Sequence, residues 1–94
     1  MKREKLSEDQ VRREIAELDG WSAGDANVKK RVEFDNFAES LAFVNRIGEL
    51  AEAADHHPDI TFGWGYAEIS LTTHDRGGVT DVDIELARRI DAIG

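Results

Sequence analysis

Apolar residues recur along the chain in two rhythms, and the changes of rhythm divide it into α-β-β-α-β-β-α. Val11, Ile15 and Leu18 are spaced for a helix. Ser7 stands before them as an N-cap with Gln10 at capping-box distance, and Gly20 is a natural stop, so the spacing predicts a helix from about Glu8 to Asp19. Trp21 begins a short strand-like piece, and Gly24-Asp25-Ala26-Asn27 has turn composition. From Val28 to Phe34 the chain alternates: Val28, Lys30, Val32 and Phe34 share one face, and Lys29, Arg31 and Glu33 the other. These two pieces predict a hairpin.

Asn36, with Glu39 three residues on, marks the start of the longest element, a helix from Phe37 to about Ala54. Phe37, Leu41, Val44, Gly48 and Ala51 fall on one stripe, widened by Phe43, Ile47, Leu50 and Ala54. The small residues Gly48, Ala51, Ala53 and Ala54 suggest close approach to a neighbour. Pro58 biases His57 away from helical dihedrals, so the helix is expected to end at or before His56-His57. Ile60, Phe62 and Trp64 alternate, Gly63 and Gly65 bracket a turn, and Tyr66 to Thr73 reads as a strand with Ala67, Ile69 and Leu71 on its buried face. After the loop Asp75-Arg76-Gly77-Gly78, Thr80 caps a last helix with Asp83 at the N3 position and Val82, Leu86, Ile90 and Ile93 as its stripe. The expected fold is α+β: a single domain over 1–94, frayed over 1–5, with a four-stranded antiparallel sheet and helices packed on one face.

Composition narrows the function. Twelve basic and twenty acidic residues leave a net charge of −8, which repels phosphate backbones, so direct nucleic-acid binding is not expected. There is no cysteine, which excludes disulfides and thiolate metal sites. No apolar run approaches a membrane span, and the basic N-terminus has no apolar stretch behind it, so a cytoplasmic protein is expected.

The candidate chemistry lies in the histidines. His56 and His57 sit on the exit of the long helix, and His74 follows the strand that a hairpin over 60–73 would fold back toward them. Glu52, Asp55 and Asp83 are possible carboxylate neighbours. Imidazole exchanges protons near neutral pH, and a carboxylate beside it fixes its tautomer. That outlines an acid–base site without a nucleophile. Each part also has an ordinary explanation: a polar turn at a helix end for the pair, a strand-end position for His74, capping for Asp83 and core packing for Trp64. Zinc is disfavoured because adjacent histidines diverge and no helical His-x-x-x-His exists, and no Gly-x-Ser-x-Gly turn supports a serine hydrolase.

Glu52-x-x-x-His56-His57-Pro58, Trp64, Thr73-His74, Gly78 and Asp83, with flanks Leu18-x-Gly-Trp21, Phe34-Asp-x-Phe37 and Leu86-Ala-x-x-Ile90, resemble the signature of the pterin-4a-carbinolamine dehydratases over about residues 6–93. The resemblance implies dehydration of a 4a-hydroxytetrahydropterin such as 4a-hydroxytetrahydrobiopterin to the quinonoid dihydropterin, in pterin recycling. It implies no metal or organic cofactor and a homodimer or homotetramer. It also implies His56, His57 and His74 as catalytic, and Glu52, Asp55, Pro58, Trp64, Thr73 and Asp83 as substrate-binding. Some animal members of that family bind a homeodomain transcription factor, so a non-catalytic protein-binding role is the alternative. Asp59-Ile60-Thr61, Gly65 and Val82 depart from the family pattern near the presumed pocket rim.

Overall fold

Ser7 begins the first helix as expected: its hydroxyl accepts from the Gln10 N–H, and the Gln10 side chain accepts from the Ser7 N–H. The computed structural model describes residues 4–93. Within them run α1 (Glu8–Ala16), β1 (Ser22–Ala23), β2 (Val28–Glu33), α2 (Phe37–Ala54), β3 (Asp59–Gly63), β4 (Tyr66–Leu71), a short 3-10 turn (His74–Arg76) and α3 (Asp81–Asp91). The helix α1 is shorter than its apolar spacing predicts. Leu18 continues the stripe, but its N–H reaches back only to Ile15, in a tightened final turn. Met1–Arg3, part of the stretch expected to fray, lie outside the described residues. Lys5 forms an antiparallel bridge with Thr80, and the Leu6 N–H donates to Val79 O at 2.8 Å.

The strands form one antiparallel sheet in the order β1-β2-β4-β3. Strand β4 is central, and its alternation decides which face is covered. Ala67, Ile69 and Leu71 are buried, whereas Glu68 is exposed. Val28 of β2, Val11 and Ile15 of α1, Ile47 of α2, and Ile84, Leu86 and Ile90 of α3 join Ile69 and Leu71 in one core. All three helices thus lie on the same face, as α+β layering requires. The opposite face carries Lys29, Arg31, Glu33, Asp59, Thr61 and Glu68, all exposed. Full burial of a residue such as Ile69 contributes about 1.5–3 kcal/mol.

Lys30 is the charged residue on the apolar face of β2, and the fold gives it a partner. Its ammonium lies 2.9 Å from Asp91 Oδ1, to which Trp21 Nε1 also donates at 2.9 Å. The end of α3 is thereby tied to β2 and to the segment before β1.

Two expectations for α2 need correction. Its buried stripe runs through Ser40, Ile47 and Ala51, while Phe37 is 44% and Leu41 39% exposed. The reason is a polar contact: Ser40, fully buried, donates its hydroxyl to Gly63 O at 2.7 Å and so turns that face of the helix toward β3. Phe37 stays at the edge, stacked on Phe62 with ring centroids 5.7 Å apart. Nor does Gly48 mark a close approach within the chain, since a Cβ built there would meet nothing within 4 Å.

Candidate functional site

The long helix ends where the histidine pair begins. Asp55 adopts the left-handed conformation at φ 50°, its N–H reaches Glu52 O, and the His56 N–H reaches Ala51 O at 3.1 Å. This is a Schellman closure, which satisfies the last carbonyls and reverses the chain. Pro58 then keeps the exit extended and leads into β3. His56 and His57 therefore leave the helix on a turn, as the proline predicts.

The hairpin of β3 and β4 returns the other half. Asp59 pairs with Ser70 and Ile60 with Ile69, so continuing that register outward sets His56 opposite Thr73. Thr73 bridges to Gly78, which pinches the loop between them, and His74 heads the 3-10 turn on that loop.

The two halves meet at Asp83. His56 Nε2 lies 2.5 Å from Asp83 Oδ1. Thr73 donates its hydroxyl to Asp83 Oδ2 at 2.8 Å, and the Thr80 N–H donates to the same oxygen at 2.9 Å. Thr73 and Thr80 hydroxyls are 2.9 Å apart. Asp83 is completely buried and His56 is 8% exposed. A carboxylate so enclosed persists only with a full set of donors, and Asp83 has them. It is at once the N3 residue of the α3 capping box and the hydrogen-bond partner of His56.

His57 pairs with Glu52 at the surface, where such a contact contributes little to stability. His74 is exposed, and its side chain makes no hydrogen bond or ion pair among the described residues. Asp55 is exposed at the helix cap, and Pro58 is half-buried beside it. Thr73 is 1% exposed, with its hydroxyl engaged inside the protein rather than offered to solvent. The structure does not bring Trp64 to these groups. It sits at the tip of the hairpin, 71% exposed, and at about 3.3 Å per residue along β3 it lies roughly 20 Å from Pro58. Sequence reasoning missed Thr80 as part of this cluster. Its capping role was legible, but its contact with Thr73 depends on the loop pinch.

Among the described residues no three histidine or carboxylate side chains converge as a metal ion requires. An open cleft of about 540 Å3 between Lys5, Arg12, the 23–27 turn and Val79 contains none of the histidines. The arrangement that can move protons is the buried His56–Asp83 pair, with exposed His57 next to His56 in the chain and exposed His74 next to Thr73.

Comparison with known proteins places the chain in a family. The family model described as pterin 4 alpha carbinolamine dehydratase matches residues 4–93. The chain belongs to that family. A relative from Sulfolobus acidocaldarius, provisionally named pterin-4-alpha-carbinolamine dehydratase, is 42% identical over 95% of this chain and 98% of its own length. The crystal structure of a transcriptional coactivator/pterin dehydratase from Brucella melitensis superposes with a TM-score of 0.89 at 31% identity, covering 95% of this chain and 97% of that one. A pterin dehydratase-like protein described as a RuBisCO assembly factor in the alpha-carboxysome superposes with a TM-score of 0.66 at 28% identity, covering 81% of this chain and 90% of that one. Pterin dehydratase relatives thus include proteins described by other roles. No helix among the described residues is long and apolar enough to cross a membrane.

Proposed function

We propose that the protein is a hydro-lyase that converts a 4a-hydroxytetrahydropterin, such as 4a-hydroxytetrahydrobiopterin, to the quinonoid dihydropterin and water. The observation that carries this reading is the buried His56–Asp83 pair beside Thr73-His74 in a chain of this family. In the reaction the C4a–O bond breaks, the departing hydroxyl takes up a proton, and N5 gives one up as the C4a–N5 double bond forms. The atoms balance as loss of one water. One group must donate a proton and another accept one, and imidazoles suit both tasks, with such assistance contributing roughly 10²–10⁴ in rate. His56, held by Asp83, and His74, exposed on its pinched loop, divide the acid–base work. His57, oriented by Glu52, binds and orients the pterin, with Asp55 and Pro58 at the rim. Asp83 and Thr73 act from behind His56. The step needs no metal or organic cofactor, and it would return the pterin oxidised by aromatic amino-acid hydroxylation to a reducible form in the cytoplasm.

The test is direct. The 4a-hydroxytetrahydropterin is generated in situ and its decay followed spectrophotometrically with and without protein. Acceleration that His56→Ala abolishes is expected. Folded protein that leaves the decay unchanged overturns the reading.

A second reading has its own support. Phe37 and Leu41 on α2 and Trp64 at the hairpin tip are large apolar side chains left exposed, and one solved relative is described as a transcriptional coactivator. A protein-binding role, or association into a homodimer or homotetramer, would cover them. Light scattering across a concentration series tests self-association. A strictly monomeric protein would remove that explanation of the exposed residues.

A further inference from the structure

The cluster behind His56 has a direction that the donors and acceptors dictate. Thr80 Oγ accepts from the Val82 N–H and, in the capping box, from the first-turn backbone at Asp83. With its lone pairs taken, the Thr80 hydroxyl has one hydrogen left to give, and the oxygen within reach is Thr73 Oγ at 2.9 Å. Thr73 therefore accepts from Thr80 and donates its own hydrogen to Asp83 Oδ2 at 2.8 Å. The Thr80 N–H adds a second donor on that oxygen. A carboxylate can only accept, and both hydrogens that reach Oδ2 are donated to it. Its other oxygen, Oδ1, faces His56 Nε2 at 2.5 Å, so that nitrogen must carry a hydrogen. The remaining nitrogen, Nδ1, makes no hydrogen bond among the described residues. No buried side-chain nitrogen or oxygen there lacks a partner, so Nδ1 reaches the surface.

We infer that Thr80 and Thr73 are positioning residues which, through Asp83, hold His56 as the Nε2–H tautomer and leave Nδ1 as the atom that exchanges a proton with a bound substrate. The relay is local and pre-formed. Thr73 and Thr80 are 1% and 0% exposed, so water does not compete for their hydroxyls. It also gives the capping box of α3 a second task, because the backbone that orients the Thr80 hydroxyl is the first turn of that helix. Removing the Thr73 hydroxyl leaves Asp83 Oδ2 with one donor. The alternative arrangement, a protonated Asp83 donating to His56 Nε2 with the hydrogen of the ring on Nδ1, then competes. The tautomer assignment stands on the hydrogen-bond geometry, and only its consequence for rate rests on the dehydratase reading.

The experiment is long-range ¹H–¹⁵N correlation on protein labelled at histidine, near pH 8, above the ordinary imidazole range of about 6.5. His56 is identified by the signals that persist in His57→Gln and His74→Gln. In the unmodified protein its Nε2 is expected to be protonated and its Nδ1 not. Thr73→Val is expected to populate Nδ1–H, Thr80→Val to do so less, and Thr73→Ser to restore the original pattern. Near-ultraviolet circular dichroism of each variant establishes that it is folded. In the dehydration assay Thr73→Val is expected to lower kcat by about tenfold to a hundredfold with KM within about twofold, and Thr73→Ser to recover it. A hydrogen on Nδ1 in the unmodified protein overturns the inference. So does an unchanged His56 spectrum in folded Thr73→Val. If the spectra behave as expected but no variant or parent dehydrates the pterin, the function proposed above fails while the tautomer assignment stands.

Discussion

His56 Nε2 and Asp83 Oδ1 lie 2.5 Å apart and join the exit of α2 to the first turn of α3. The two residues are 27 positions apart in sequence. The same carboxylate completes a helix cap, so the proposed chemistry and the stability of α3 both depend on one side chain.

Replacing Asp83 by Asn therefore has two consequences. The fold is expected to lose about 1–3 kcal/mol, from the weakened cap and the disturbed buried network. Dehydration is expected to fall by more than the unfolded fraction accounts for. Urea unfolding followed in parallel with the rate assay separates the two, and loss of activity matching loss of folded protein would limit Asp83 to a structural role.

His57 and His74 are exposed, so their removal leaves the fold almost untouched. His57→Ala and His74→Ala are each expected to stay within about 0.5 kcal/mol of the parent in stability. They differ in kinetics. His74→Ala is expected to lower kcat by about 10² or more, and His57→Ala chiefly to raise KM. Steady-state assays over a range of pterin concentrations decide this, and equal kinetics in both variants would contradict the division of roles.

The Asp91 carboxylate is remote from that chemistry but central to the fold. It accepts from Trp21 Nε1 and Lys30 Nζ, with Lys30 and Asp91 side chains only 15% and 18% exposed. Asp91→Ala leaves Lys30 without its partner on the apolar face of β2. A loss of about 2 kcal/mol is expected in urea unfolding, with unchanged KM for the folded fraction. A shift in the Trp21 fluorescence should accompany it.

Gly65 closes the β3–β4 hairpin at φ 81°, and a Cβ there would lie 3.1 Å from Phe34 O, a backbone atom. Gly65→Ala is expected to cost about 1–2 kcal/mol, as measured by the thermal midpoint. A neutral effect would mean that the turn relaxes without strain.

Much of this architecture was legible because it depends on neighbours in sequence. Ser7 with Gln10 and Thr80 with Asp83 form the capping boxes their spacing predicts. Asn36 caps α2, although Glu39 reaches back to the Asp35 N–H rather than to that of Asn36. The alternation of Ala67, Ile69 and Leu71 marked the buried face of β4, and Pro58 marked the end of α2. Periodicity failed where two apolar stripes competed. It favoured Phe37 and Leu41 on α2, whereas the Ser40 hydroxyl, satisfied by Gly63 O, decided the helix face.

The order of elements, the helix starts, the end of α2 and the covered face of the sheet follow from the chain alone, because caps, breakers and period are local properties; the end of α1 does not, since Leu18 continues the apolar stripe past a helix that closes at Ala16. The meeting of polar groups is a property of the packed chain. Spacing showed Asp83 as a cap, but its free oxygen found His56 because the hairpin register sets His56 opposite Thr73. The family resemblance grouped Trp64 with the histidines, but a hairpin that brings its two ends together carries its tip away from them within the chain. Contacts between distant segments depend on register and on the satisfaction of buried donors, and those are settled when the layers pack.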